Sequence, residues 1–240
     1  VHRGIARAFA VAAPKVDDAI VVAGDLVDRG PDSPAVVRFF RELSLVQRVI
    51  LVCGNHEYKH GRYRRNLIKQ PRVARDMIQH NSELQTITEQ LSELDVSFLD
   101  SAKLLYHVPD TDIVVLHAGV TPNMRSLPKD TGSWSKYDAQ IMYVRHVDPA
   151  GNMVRLGAER PDCRFWADVY DGRFGHIFFD HEPFVREQKP VQFPHATGLD
   201  LGCVFGGHLA CARYEAGDIR YFTVKARTSY SKSRTSMEEM

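Results

Sequence analysis

Several side chains suited to metal or proton chemistry stand in this chain where apolar runs end. Asp25, with Asp28 and Arg29 three and four places on, follows the run Ala19-Ile20-Val21-Val22-Ala23. Asn55-His56-Glu57 comes just after Arg48-Val49-Ile50-Leu51-Val52-Cys53, and His117 directly after Asp112-Ile113-Val114-Val115-Leu116. His176 and His181 flank a further run, Ile177-Phe178-Phe179. Carboxylate, imidazole and amide oxygen bind hard or borderline cations such as Mn, Fe or Zn, and two such ions need a shared anionic ligand to sit close together. Asp25 suits that bridging place, because Gly24 permits a tight turn at the end of its run.

Such side chains meet only if the runs are strands whose loops emerge on one edge. Residues 5–13 carry Ala and Arg with apolar spacing and read as a helix stopped by Pro14, and 19–23 read as a strand. Pro31-Asp32-Ser33-Pro34 signals a helix start, with Val36, Val37, Phe39, Phe40 and Leu43 on one broad face, and 48–53 read as the next strand. Strand, helix, strand is a βαβ unit, so these two strands are expected to be parallel. The pattern Val73, Met77, Ile78, Leu84, Ile87, Leu91, Leu94 is helical, with a break at Asn81-Ser82, and reads as a cap over the sheet. Residues 104–108 and 112–116 read as strands, so that three parallel-type strands would deliver Asp25, Asn55 and His117 to one edge. The segment 126–162 reads as an insertion near the site with one helix around 135–144. Runs 199–205, 209–214 and 219–224 read as an antiparallel meander. The expectation is an α/β fold of mixed sheets with helices outside, one domain over residues 1–225 and a polar tail over 226–240.

The bulk composition agrees with a folded chain. It has 240 residues, 44% hydrophobic and 25% charged, with a formal net charge of +1. That charge asks for no stable nucleic-acid or acidic-membrane partner. The basic cluster Lys59-His60-Gly61-Arg62-Tyr63-Arg64-Arg65 reads as a solvated turn or a polyanion contact, and the basic stretch 225–234 as a frayed tail. Cys53, Cys163, Cys203 and Cys211 lack CxxC spacing, which fits a reducing, cytoplasmic setting. No apolar run is long enough for a membrane span and no signal peptide is visible; the chain starts without Met, so an upstream piece with a targeting signal is an open expectation.

Gly24-Asp25-Leu26-Val27-Asp28-Arg29-Gly30, Gly54-Asn55-His56-Glu57 and His117-Ala118-Gly119 follow one another with 23 residues between Gly30 and Gly54. These blocks resemble the phosphoprotein-phosphatase branch of the calcineurin-like metallophosphoesterases, whose signatures read GDxHG, GDxVDRG, GNHE and HGG or HAG. The resemblance implies an αββα sandwich holding two divalent metal ions, with Mn the first expectation and Fe or Zn the others. By position it implies that Asp25 bridges the ions, that Asn55 and His117 bind the second, and that Arg29 grips phosphate. It also implies His56 as general acid, with Asp28 fixing its tautomer, and in-line attack by a metal-activated hydroxide. For the remaining ligand His181 is expected after its apolar run, in Phe179-Asp180-His181-Glu182-Pro183, with His176 the alternative; Asp180 departs from the family's usual Gly. Arg173 is a second candidate phosphate contact. Val1-His2-Arg3-Gly4 resembles the end of GDxHG, which makes His2 a ligand of the first metal. The Asp two places before His2 lies outside the given sequence, and the expectation is weak two-metal occupancy unless the natural chain extends upstream.

His60, His80, His107, His146 and His195 lack ligand spacing and read as surface or satisfied core residues. The stretch 198–207 resembles the GLDxGCVxGG stretch of bacterial-type phosphatases and symmetrical diadenosine-tetraphosphatases, which implies that it and the following His208 line the pocket floor. Cys203 within it, and Trp166 and Tyr170 one helical turn apart, read as packing. The first functional expectation is hydrolysis of a phosphomonoester on a phosphoserine or phosphothreonine protein. The second is hydrolysis of a nucleotide phosphoanhydride such as diadenosine tetraphosphate. A third, of another class, is a non-catalytic phosphate-binding module.

Overall fold

The computed structural model describes residues 2–79, 82–129 and 134–231, with the side chains of all of these except 2, 3 and 82. Helix α1 (His2–Ala12) ends two residues before Pro14, and the chain then enters strand β1 (Ile20–Val22). Helix α2 (Ser33–Leu43) starts on an Asp32 cap whose carboxylate accepts the Ala35 N–H at 3.0 Å, with Pro34 in the first turn, where its missing N–H costs nothing. Its buried face is Val36, Val37 and Phe40. Strand β2 (Val49–Leu51) pairs parallel with β1, Val21 opposite Ile50, which completes the βαβ unit.

Four helices follow: α3 (Asn55–Lys69), α4 (Pro71–Gln79), α5 (Ser82–Gln90) and α6 (Glu93–Asp100). Residues 73–79 and 82–90 therefore do lie in helices, while the break expected at Asn81-Ser82 falls on residue 81, outside the described residues. These helices pack against α3 and α2, Leu84 and Ala74 burying against Tyr63 of α3, while Ile87 and Leu91 reach the core that holds Leu51 of β2. The basic stretch 59–65 is no turn; it is the middle of α3.

Strands β3 (Leu105–His107) and β4 (Ile113–Leu116) come next, then a 3-10 turn over Asp138–Met142. The segment read as an insertion holds two-residue strands β5 (His146–Val147) and β6 (Met153–Val154), which with β7 (Arg164–Phe165) make a small antiparallel sheet. After α7 (Trp166–Val169) come β8 (His176–Phe179), β9 (Val191–Phe193) and β10 (Ala196–Gly198). The larger sheet has the order β3-β4-β8-β10-β9, parallel in its centre and antiparallel at both edges. Residues 199–205 add no strand to a meander, because left-handed Gly202 and Gly206 bracket a 3-10 turn there. Only β11 (His208–Glu215) and β12 (Asp218–Lys225) pair, as a hairpin.

Strand alternation sorts the core onto two faces of the larger sheet. Val114, Leu116, Ile177 and Phe179 pack with Ile141, Met142, Val147 and Trp166, the side of the small sheet and α7. Ile113, Val115 and Phe178 pack with Val52, Val21, Ala23, Ala212 and Tyr221, so this face lies on β1, β2 and the hairpin. The result is sheet on sheet with helices outside. It also places β4, which carries His117 at its end, in a different sheet from β1 and β2, so the ligand-bearing strands do not share one edge.

Candidate active site

The loops after β1 and β2 approach each other closely. A side chain at Gly24, where φ is +98°, would put its Cβ 2.7 Å from His117 Nδ1, and one at Gly54 would collide with the Asp25 carboxylate. Glu57, buried in the first turn of α3, ties the two loops together. Its carboxylate accepts the N–H of Gly54 at 2.9 Å, of Asp25 at 2.8 Å and of Leu26 at 2.6 Å. Burial and the adjacent Asp25 push Glu57 above the usual carboxylate range, against the pull of these donors.

Across the gap between the sheets, His117 Nδ1–H donates to the Ala23 carbonyl at 2.8 Å, which leaves Nε2 of the neutral ring as a lone pair. Around that nitrogen stand Asn55 Oδ1 at 3.0 Å, His181 Nδ1 at 3.1 Å and Asp25 Oδ1 at 3.3 Å. Asp25, His117 and His181 offer ligand atoms all within 4.8 Å of one another. Burial, aided by His117 and Arg145, holds His181 well below the ordinary histidine value, so it too offers a lone pair. Lone pairs converging without protons between them are what a divalent cation satisfies, and the donor set of two imidazoles, a carboxylate and an amide oxygen fits one. His176 instead starts β8, its Nε2 paired with Thr197 Oγ1 at 2.9 Å. The side chain of His2 lies outside the described residues, as do His80 and residues 232–240 of the tail.

His56 Nδ1–H donates to Asp28 Oδ2 at 2.5 Å, and its Nε2 faces Asp25 Oδ2 at 3.8 Å. Asp28 also accepts from His60 Nε2–H at 2.8 Å and from Lys59. Burial acts to raise the Asp28 carboxyl, but these three partners overcome it and hold the group far below the carboxylate range. His60, fully buried, takes the Thr88 hydroxyl on its other nitrogen at 3.1 Å. The sequence reading of His60 as a satisfied core residue omits its role in fixing Asp28.

Backbone strain collects at the same place. Among the described residues seven non-glycine positions have left-handed φ, and four belong to the site: Asp25 (55°), Asp28 (72°), Arg29 (58°) and His181 (77°). Each costs about 1–3 kcal/mol, which the surrounding hydrogen bonds must offset.

Arg29 is exposed, its guanidinium over the Phe205 ring at 5.8 Å, a contact that holds it without neutralising it. Arg173 is not brought to the site. Its guanidinium is taken by Asp171 at 2.6 Å and by the Pro122 carbonyl at 3.2 Å. The cation that does reach the site is Arg145, which donates to the His181 carbonyl at 2.5 Å and lies 2.8 Å from Glu182. Burial lowers its guanidinium, and it senses both Arg29 and Asp25. No motif in the sequence marks it, since it is one of three arginines, with Arg155 and Arg160, inside the segment read as an insertion. Asp180 and Asp200 lie in stretches that the sequence does mark, but neither is assigned a role there. Burial raises both, Asp180 strongly with Asp200 adding to it, and Asp200 to about 6. The stretch 198–207 reaches the site through Asp200 and Phe205, whereas His208 stands opposite Lys225 in the hairpin.

A family model described as calcineurin-like phosphoesterase matches residues 2–212. The asymmetrical bis(5'-nucleosyl)-tetraphosphatase PrpE of Bacillus subtilis (strain 168) is 31% identical over 221 residues, which cover 90% of this chain and 82% of the relative. The protein of the same name from Bacillus velezensis is 30% identical, covering 91% and 82%. Among solved structures, one described as a candidate diadenosine tetraphosphatase has a TM-score of 0.69 at 22% identity, covering 93% of this chain and 88% of that one. A cold-active protein-tyrosine phosphatase of a Shewanella species has a TM-score of 0.53 at 14% identity, covering 88% and 70%. These two likenesses are of fold.

Proposed function

The chain belongs to the calcineurin-like phosphoesterase family, and from that premise we propose that it hydrolyses dinucleoside tetraphosphates. The motifs alone put a phosphoserine or phosphothreonine protein first. Similarity to tetraphosphatases over 90% of the chain reverses that order, and it is the observation that carries the reading. The cations support it: Arg29 and Arg145 flank the ligand cluster, as a substrate with several phosphates requires.

Asp25, Asn55, His117 and His181 would hold a divalent cation, with Mn the first ion to try, and a second would draw on Asp25 and His2. When bound, such ions supply positive charge for the phosphoryl oxygens and make water acidic enough to act as nucleophile near neutral pH. The chain's own residues do the rest. Arg29 and Arg145 hold phosphoryl oxygens, Arg29 held in place by Phe205 and Arg145 by the His181 carbonyl. The ionised Asp28 accepts the His56 Nδ1–H and favours the doubly protonated ring, whose Nε2–H, turned toward Asp25, is the proton given to the leaving oxygen while Nδ1–H stays on Asp28. A pure binding module has no use for that donor, which argues against the non-catalytic reading.

The test is purified protein with added Mn, supplied in parallel with diadenosine tetraphosphate and a phosphopeptide, with products separated by anion exchange. Expected are unequal products, adenosine mono- and triphosphate, and a kcat/KM for the dinucleotide at least about tenfold above that for the peptide. Preference for the phosphopeptide would overturn the proposal.

A further inference from the structure

Helix α3 carries more than its proton-donating first turn. Asn55, Tyr58, Lys59 and Arg62 are spaced at three, four and seven residues and so share one helix face. Tyr58 is half-buried against Trp134, their rings 6.2 Å apart and 30° from parallel, so the tyrosine is fixed in place. Arg62 is exposed and makes no ion pair among the described residues, unlike Lys59 and Arg64, which bond Asp28 and Asp100.

A second segment faces this helix. The Ile141 carbonyl accepts the N–H of Ala118 at 2.9 Å and of Gly119 at 3.2 Å, which ties it to the loop carrying His117. Four residues on, Arg145 is tied to the His181 carbonyl at 2.5 Å. Tyr143, between these two anchors, is therefore held at the rim of the ligand cluster, yet it is 39% exposed. Burial pushes its phenol up to about 12, with Tyr58, Cys53 and Asp25 adding to the rise and Arg62 opposing it, and Tyr58 packs on the same core cluster as Met142 and Val144 on either side of Tyr143. No structural task on the page asks for a half-exposed tyrosine there.

We propose that Tyr58 and Tyr143 form the stacking wall for the nucleobase of the substrate, and that Arg62, two helical turns beyond Asn55, holds the distal phosphates. The inference rests on the dinucleotide reading and adds its specificity site. Two turns of helix span about 11 Å, which matches the reach of a short polyphosphate from the ligand cluster. Aromatic faces accept any base, so the wall discriminates nucleotides from baseless phosphates rather than one base from another.

The experiment compares diadenosine tetraphosphate with inorganic tetraphosphate in the Mn-loaded wild type and in Tyr143→Ala, Tyr143→Phe and Arg62→Ala. It also titrates each protein with adenosine monophosphate while following tryptophan fluorescence, which Trp134 behind Tyr58 should report. Expected for Tyr143→Ala is a fall of about tenfold or more in the kcat/KM ratio of dinucleotide to inorganic tetraphosphate, the size of one lost base stack, with Tyr143→Phe retaining the ratio. Arg62→Ala should raise KM for both substrates while kcat stays near wild type. An unchanged ratio in Tyr143→Ala, in a protein that does turn over the dinucleotide, overturns the subsite alone. A wild type that cleaves only baseless phosphates overturns the substrate reading; if its fluorescence still responds to adenosine monophosphate, the stacking wall stands without it, and if not, both fall.

Discussion

Glu57 accepts the backbone N–H of Asp25 at 2.8 Å, so a buried carboxylate in the first turn of α3 sets the position of the central carboxylate on the loop after β1. The same side chain takes the N–H groups of Gly54 and Leu26. Replacing it with Gln turns one acceptor oxygen into a donor that faces N–H. Glu57→Gln should lose about 1–3 kcal/mol in urea denaturation and bind Mn more weakly by titration calorimetry. A variant with wild-type stability and Mn affinity would show that the brace is idle.

The His56–Asp28 pair acts on the leaving group. His56→Asn should lower kcat by about 10²–10⁴ for a substrate with a poor leaving group. The loss should be much smaller for p-nitrophenyl phosphate, whose leaving oxygen needs no proton. Equal losses on the two substrates would remove His56 from the proton step.

Two arginines separate cleanly. Arg145→Lys keeps the charge but loses the forked geometry that serves the His181 carbonyl and phosphate together, and kcat/KM should fall about 10- to 100-fold. Arg173→Ala, whose partners are Asp171 and Pro122, should stay within about twofold. Steady-state kinetics on the pair decides it, and a larger loss at Arg173 would restore the reading from sequence.

Asp95 gives a pH signature away from the site. It is fully buried, closes the capping box of α6 with Ser92, and accepts from Arg41 of α2 at 2.9 Å. Burial acts to raise its carboxyl, but Ser92 and Arg41 outweigh that and hold it below the ordinary value. A depressed folded value means the stabilisation is complete above the unfolded value of about 4 and fades as pH falls through the folded one. Asp95→Asn should therefore cost about 1–3 kcal/mol at neutral pH and converge on wild type in acid. Denaturation curves at several pH values would expose a constant gap, which this account does not allow.

The site loops were legible because their chemistry is written in adjacent residues: Asp25 to Arg29, Asn55 to Glu57 and His117 each follow an apolar strand. Helix α3 was illegible because the residues it buries include His56, Glu57 and His60, which apolar periodicity passes over, while Ile68 lies 86% exposed. Arg145 reaches the site through tertiary folding alone, with no motif beside it to announce it, whereas Asp200 lies in the 198–207 stretch that the resemblance placed at the pocket floor. The assignment of His117 to the same edge as Asp25 failed because a buried strand reads alike in either sheet of a sandwich. The three short strands around residue 150 failed on length.

Asp25 and Asn55 hang from one sheet and His117 and His181 from the other, and their ligand atoms are 3.0–3.3 Å from His117 Nε2. A slip of one sheet past the other by a single residue, about 3.3 Å, would pull that cluster apart. The offset between the sheets is thus fixed by chemistry more tightly than hydrophobic packing alone would fix it. Helices that carry no site residue can shift without cost to the cluster, while the alignment of the two inner layers and of the first turn of α3 has almost no room to move.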